Sequence, residues 1–190
     1  MKGFPMVMTV SSVLLDEWQE LANQAAEAAQ VPAALVMCVW PEQIEVLIAS
    51  LGDENPYEEH EKADLGTGLY CETVMATHQP LLVPDALSDP EWANNPDIKL
   101  NMISYLGVPL VCPDDSIFGT VCVLDRQPRH YDTKTLRMLE SLKAIIESDF
   151  HSVVAGDPVH EGSRSGSERR AFQNCIADLR ASNGSPSPSA

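Results

Sequence analysis

Four runs read in order decide the fold: Leu65-Gly66-Thr67-Gly68-Leu69-Tyr70-Cys71-Glu72-Thr73-Val74, Leu81-Leu82-Val83-Pro84-Asp85, Ser104-Tyr105-Leu106-Gly107-Val108-Pro109-Leu110 and Phe118-Gly119-Thr120-Val121-Cys122-Val123-Leu124-Asp125. Gly66-Thr67-Gly68 opens a helix over about 69–77, with Leu69, Thr73 and Ala76 on one side. Leu81 to Val83 is a short strand ended by Pro84. Two apolar runs, 104–112 and 117–125, flank Pro113-Asp114-Asp115-Ser116, a turn composition between strands. Strands joined by so tight a turn pair antiparallel, because a parallel pair needs a long crossover.

Outward from this block the period changes again. Toward the N-terminus, Leu14, Trp18, Leu21, Ala25 and Ala29 recur at three- and four-residue steps, which predicts a helix to about Gln30. Ser11 or Ser12 caps it, Asp16 and Glu17 stand in its first turn, and Pro32 stops it. Residues 33–40 and 44–49 read as a hairpin around Pro41-Glu42-Gln43, and the acid-rich 52–64 as a solvated loop. Between Asp85 and Lys99 the chain is turn-rich, with Ser88-Asp89-Pro90 and Asn94-Asn95-Pro96-Asp97 as helix starts. Toward the C-terminus, Asp132 or Thr133 caps a long helix whose stripe is Leu136, Leu139, Leu142, Ile146 and Phe150. Helices layered on a sheet of adjoining antiparallel strands make an α+β domain, not a doubly wound one.

The chain has 190 residues and a formal charge of −16. The whole excess lies in residues 1–150, where 24 acids face 8 bases. Such a charge excludes a general nucleic-acid binder and is repelled by an anionic membrane surface. No apolar run approaches a bilayer span, and Met1 to Val10 has no signal-peptide pattern, so the expectation is a soluble cytoplasmic protein. Residues 151–190 are different material: Glu161-Gly162-Ser163-Arg164-Ser165-Gly166-Ser167 and the Ser-Pro-rich end predict a flexible tail, with one short helix over 167–180 carried by Phe172, Ile176 and Leu179. Cys38, Cys71, Cys112, Cys122 and Cys175 are widely spaced, without a C-x-x-C pair, which points to reduced thiols. His60, His78, His130, His151 and His160 show no metal-ligand spacing, and no cofactor is expected.

Taken with Asp89-Pro90-Glu91-Trp92 and Asn95-Pro96-Asp97-Ile98-Lys99-Leu100, the ordered runs resemble a GAF domain over about residues 11–150, and specifically the bacterial subgroup at the front of sensor histidine kinases and diguanylate cyclases. The resemblance implies a central antiparallel sheet of about six strands. Terminal helices lie on one face, and pocket helices and loops on the other. It also implies a homodimer through the terminal helices, here Leu14, Trp18, Leu21, Leu139, Leu142 and Ile146, and relay to an output partner in two-component or cyclic-di-GMP signalling. Several subgroup features are missing. Asp125-Arg126 stands where cyclic-nucleotide-binding relatives have Asn-Lys, Cys71 is followed by Glu72 and not by the histidine of bilin carriers, and the Cys-x-x-Asp signature of free methionine sulfoxide reductases is absent.

For the pocket the candidate ligand-binding residues are Tyr70, Cys71, Glu72, Trp92, Asn94, Asn95, Tyr105 and Asp125. Glu72 sits early in its helix, where it either meets a ligand donor or faces solvent near the favourable dipole end. Trp92, Asn94 and Asn95 belong to the roof loops; Trp92 either touches ligand or staples the loop to the sheet. A buried Tyr105 needs a hydroxyl partner, and Asp125 either orients a ligand or accepts backbone donors at the end of its strand. No serine, histidine and acid grouping and no phosphate loop can be assembled, so the function expected is a non-catalytic small-molecule sensor. Two rivals stand beside it: a ligand-free dimerisation or interaction module, and a thiol redox enzyme using Cys71 or Cys122.

Overall fold

The computed structural model describes residues 10–156 and 166–183. Helix α1, Ser12–Ala29, is capped by Ser11 and ends at Gln30 in the left-handed region. With that cap, Asp16 and Glu17 fall beyond the first turn, one turn later than the sequence suggests. Strands β1, Ala33–Val39, and β2, Gln43–Ala49, form the expected hairpin. Strand β3, Lys62–Asp64, follows the acidic loop; helix α2 is Tyr70–Thr77 and strand β4 is Leu81–Val83. A 3-10 helix at Pro96–Leu100 precedes β5, Ser104–Val111, and β6, Ile117–Asp125. Helix α3, Thr133–Ala155, is capped by Asp132, which accepts from the backbone N–H groups of Lys134 and Thr135. Helix α4 spans Gly166–Asn183.

The six strands form one antiparallel sheet in the order β3-β2-β1-β6-β5-β4. Side chains alternate across a strand, so each central strand feeds two cores. Ala34 and Val36 of β1, Leu106, Val108 and Leu110 of β5, and Val121 and Val123 of β6 face α1 and α3. Their neighbours Leu35, Met37, Tyr105, Cys122 and Leu124 face α2 and the roof loops. The helix-side core is dense and aromatic. Phe150 lies edge-on to Trp18, with centroids 5.8 Å apart, and Phe118 lies 4.6 Å from Phe150. The Trp18 indole N–H donates to buried Asp149 at 2.9 Å, and burial pushes that carboxyl above its ordinary value.

Two expectations change here. Leu14, Trp18, Leu21, Leu139, Leu142 and Ile146 are at most 5% exposed within a single chain, so they form the domain's own core and are not available as a dimer surface. The reason is α4, which lies over α1 and α3 and buries Phe172, Ile176 and Leu179 against them. The short helix expected over 167–180 is a docked helix of eighteen residues, and α3 runs on past residue 150 to Ala155. The linker residues 157–165 and the Ser-Pro end, 184–190, lie outside the described residues. Of the two proline-marked helix starts, Asn95 caps the 3-10 helix with Pro96 at its first position, while Asp89 makes only a turn, accepting from Glu91 N–H.

Candidate functional site

On the α2 side the sheet does not close completely. A mainly apolar cavity of about 130 Å³ lies between β1, β2 and β6 below and α2, β3 and the 3-10 helix above. Leu35, Met37, Val46 and Leu124 make its floor, Ala63 and Leu69 its walls. Its polar groups are few, and apart from the exposed Glu61 and Lys62 they fall into two groups. On one side the Tyr57 hydroxyl donates to Asp97 Oδ1 at 2.8 Å. Burial, opposed by the Tyr57 hydrogen bond, pushes the Asp97 carboxyl up to about 6. On the other side are Cys71, Cys122 and Tyr105.

Cys71 is the second residue of α2, and Cys122 shares its face of β6 with Thr120, so helix start and strand centre converge on one spot. Thr120 Oγ1 donates to Cys71 Sγ at 3.3 Å, and the Tyr105 hydroxyl lies 3.5 Å from the same sulfur. The neighbouring Cys122 thiol, with smaller help from Thr120 and Tyr105, holds Cys71 below its ordinary thiol value despite its burial. Burial instead pushes Cys38 up to about 12 and raises Cys112 and Cys122. Tyr105 reaches the sulfur because Gly107, two residues along β5, has no side chain: a Cβ there would sit 2.0 Å from the Tyr105 hydroxyl oxygen.

Of the residues singled out from sequence, Cys71 and Tyr105 line the cavity, and the others serve the scaffold around it. Glu72 turns back along its helix and accepts from four successive backbone N–H groups, those of Gly66, Thr67, Gly68 and Leu69, at 2.6 to 3.1 Å. Its carboxylate is thereby committed to holding the Gly-rich loop, not to a ligand. Gly66 and Gly68 both have positive φ, at 81° and 88°, which is why the loop needs glycine at these two places. Asn95 is structural as well: it caps the 3-10 helix through Asp97 N–H and donates to Gly68 carbonyl at 2.8 Å. Trp92 packs on Tyr70, with centroids 5.4 Å apart, and Tyr70 stacks on Tyr105 at 4.8 Å, so Trp92 is the staple and not a cavity wall. Asn94 is exposed. Asp125 is ion-paired with Arg129 and accepts from Gln127 N–H, outside the cavity.

Sequence reasoning missed Tyr57, Asp97 and Thr120. Thr120 carries a readable signal, a hydroxyl in an apolar strand on the same face as Cys122. Tyr57 lies in an acidic loop with no periodicity, and Asp97 reads only as part of a capping motif. Their pairing, forty residues apart, arises from packing alone.

The sequence profile of the GAF domain matches residues 14–148. No curated protein matches the chain. Among solved structures, similarity extends to the GAF domain of Acinetobacter phosphoenolpyruvate-protein phosphotransferase, 19% identical with a TM-score of 0.61 over 80% of this chain and 90% of that one. The blue-light absorbing form of the Thermosynechococcus elongatus PixJ GAF domain is 16% identical, with a TM-score of 0.62 over 78% and 94%. The type II free methionine-R-sulfoxide reductase from Thermoplasma acidophilum is 14% identical, with a TM-score of 0.59 over 74% and 94%. Identities this low speak for shared architecture only. Among the described residues no helix is long and apolar enough to cross a membrane. With the profile spanning more than half of its length and a six-stranded sheet in agreement, the chain belongs to the GAF domain family.

Proposed function

We propose that this chain is a non-catalytic sensory domain of the kind found in bacterial two-component and cyclic-di-GMP signalling, and that it binds a compact small molecule in the cavity between the sheet and α2. The observation that carries the reading is the cavity itself: a void of about 130 Å³ with a mainly apolar lining and a hydrogen-bonded Tyr57–Asp97 pair set into it. Binding sites join apolar walls to a few placed polar groups in this way. An apolar space of roughly 150 Å³ accepts a molecule of benzene size, so the ligand is small and mainly apolar, with one donor aimed at Asp97. Light-absorbing and chemotaxis-protein neighbours of the same architecture support a sensory role. The working place is the cytoplasm, and an output partner reads the terminal helices. A ligand can bias those helices only through different affinities for two arrangements.

Native and denatured mass spectra of the gently purified full chain test the reading. Excess mass that disappears on denaturation, and is absent from the cavity-filling variant Ala63→Phe, is the result expected. Bare protein from both would favour the second reading, a ligand-free interaction module. That reading has its own support in α4, which already occupies the helix face by which the sequence resemblance implies dimerisation.

A further inference from the structure

We propose that Cys71 and Cys122 form a peroxide-reactive dithiol at the inner end of this cavity, with Cys71 the nucleophile and Cys122 the resolving thiol. The inference uses the cavity as a route of entry and does not depend on its holding a ligand.

Three observations converge on one sulfur. Thr120 and Tyr105 place hydroxyls 3.3 and 3.5 Å from Cys71 Sγ, and the Cys122 thiol lines the same end of the cavity. Hydrogen bonds to the charged form of a group favour that form, and only the thiolate is strongly nucleophilic. Two hydroxyls within hydrogen-bond reach and the neighbouring thiol compensate a buried thiolate. Both sulfurs border a cavity with room for a peroxide molecule, whose share of liquid volume is only a few tens of Å³. The direction of the thiol shifts agrees: Cys71 is lowered while Cys38, Cys112 and Cys122 are raised. Gly107 fits the same purpose, since any larger residue would displace the Tyr105 hydroxyl from the sulfur.

The chemistry balances with a hydroperoxide as oxidant. The Cys71 thiolate attacks the distal peroxide oxygen, the O–O bond breaks, and the leaving alkoxide or hydroxide takes the proton that the thiol gave up. Cys71 is then a sulfenic acid. The Cys122 thiol attacks its sulfur, the S–O bond breaks, and the hydroxyl leaves with the Cys122 proton as water. The product is a Cys71–Cys122 disulfide, two electrons more oxidised than the dithiol. A small-molecule dithiol reductant returns it by exchange. The consequence for the fold is direct, because this bond would tie the start of α2 to the centre of β6 through the cavity wall.

The test is peptide mapping of the full chain after brief exposure to sub-stoichiometric hydrogen peroxide, followed by alkylation of the remaining thiols. The expected result is a cross-linked pair of peptides holding Cys71 and Cys122, reversed by dithiothreitol, with Cys38, Cys112 and Cys175 still alkylated. In Cys122→Ser the reaction stops one step earlier, and a cyclic 1,3-dione labels Cys71 at least tenfold faster than any other cysteine. Tyr105→Phe slows that labelling several-fold without changing the far-ultraviolet circular dichroism. Because the wild-type map requires no substitution, a poorly folding variant leaves the proposal testable. Cys71 oxidising no faster than Cys38 or Cys112 in the wild-type chain would overturn it. Native mass spectra of the wild-type chain separate the two readings: a bound small molecule without the Cys71–Cys122 cross-link means that the dithiol proposal has failed, and the cross-link without bound mass means that the sensor reading has failed.

Discussion

At Glu72 one carboxylate does work that elsewhere takes a whole capping sequence. It satisfies four backbone donors of the Gly66 to Leu69 loop, which leads into the helix and has no ladder of its own to pair them. Glu72→Ala should therefore cost about 1–3 kcal/mol in urea unfolding, and Glu72→Gln, which keeps a single acceptor oxygen, part of that. A loss near zero would show the loop held by other means. Asp97 behaves differently, since burial raises its carboxyl from 3.8 to about 6 in the folded chain. As pH rises through that window the unfolded chain releases its proton first, so this residue's contribution to stability falls between pH 3.8 and about 6 and is constant above. Asp97→Asn still accepts from Tyr57 but no longer titrates. Its urea midpoint should gain on that of the wild type as pH is raised across the window, and parallel pH profiles would refute the assignment. Both residues are visible in the sequence as acids, Glu72 early in its helix and Asp97 in the turn-rich 85–99. What separates a loop clamp from a cavity wall is the direction of a side chain, and no spacing rule carries that information.

Among the elements, β5 and β6 were the most legible because near-continuous apolar runs of eight and nine residues flanking a turn sequence read as strands buried on both faces. Strand β3 was not legible: Lys62-Ala63-Asp64 is three residues long with two exposed charges, and it exists because β2 offers an unpaired edge. Helix α4 lies between these cases. Phe172, Ile176 and Leu179 announce a helix, but its docking is decided by a groove between α1 and α3 that only the folded domain possesses. Polar contacts fix its register, with Arg169 on Glu17 at 2.6 Å, Arg180 on Glu27 at 2.8 Å and Asn183 on the Ala28 carbonyl at 2.9 Å. The two ion pairs lie toward the surface and contribute little, so the apolar stripe holds the helix. Phe172 is fully buried, and Phe172→Ala should cost on the order of 3 kcal/mol. That loss should be confined to α4: hydrogen exchange in α4 would speed up while β5 and β6 stay protected. Uniform loss of protection would mean that α4 and the sheet unfold as one unit.

For the whole molecule, the placement of α4 changes what the terminal helices can do. In the sequence reading α1 and α3 form a dimer surface, yet their apolar residues divide between the sheet below and α4 above. An amphipathic helix laid in a hydrophobic groove is a recognised mode of partner binding, and here the chain supplies the occupant itself. Signalling through this face then requires α4 to leave, and an exposed groove of that kind seeks another partner. The double variant Phe172→Asp with Leu179→Asp keeps the chain length while setting two charges against the groove. It should sediment as a concentration-dependent dimer, where the wild type sediments as a monomer, with near-native circular dichroism in both. Adding a peptide of residues 166–183 should return the variant to monomers, because the peptide competes for the same groove. If the variant stays monomeric and folded, the groove between α1 and α3 does not complement itself, and the face that α4 covers would belong to an output protein of different sequence.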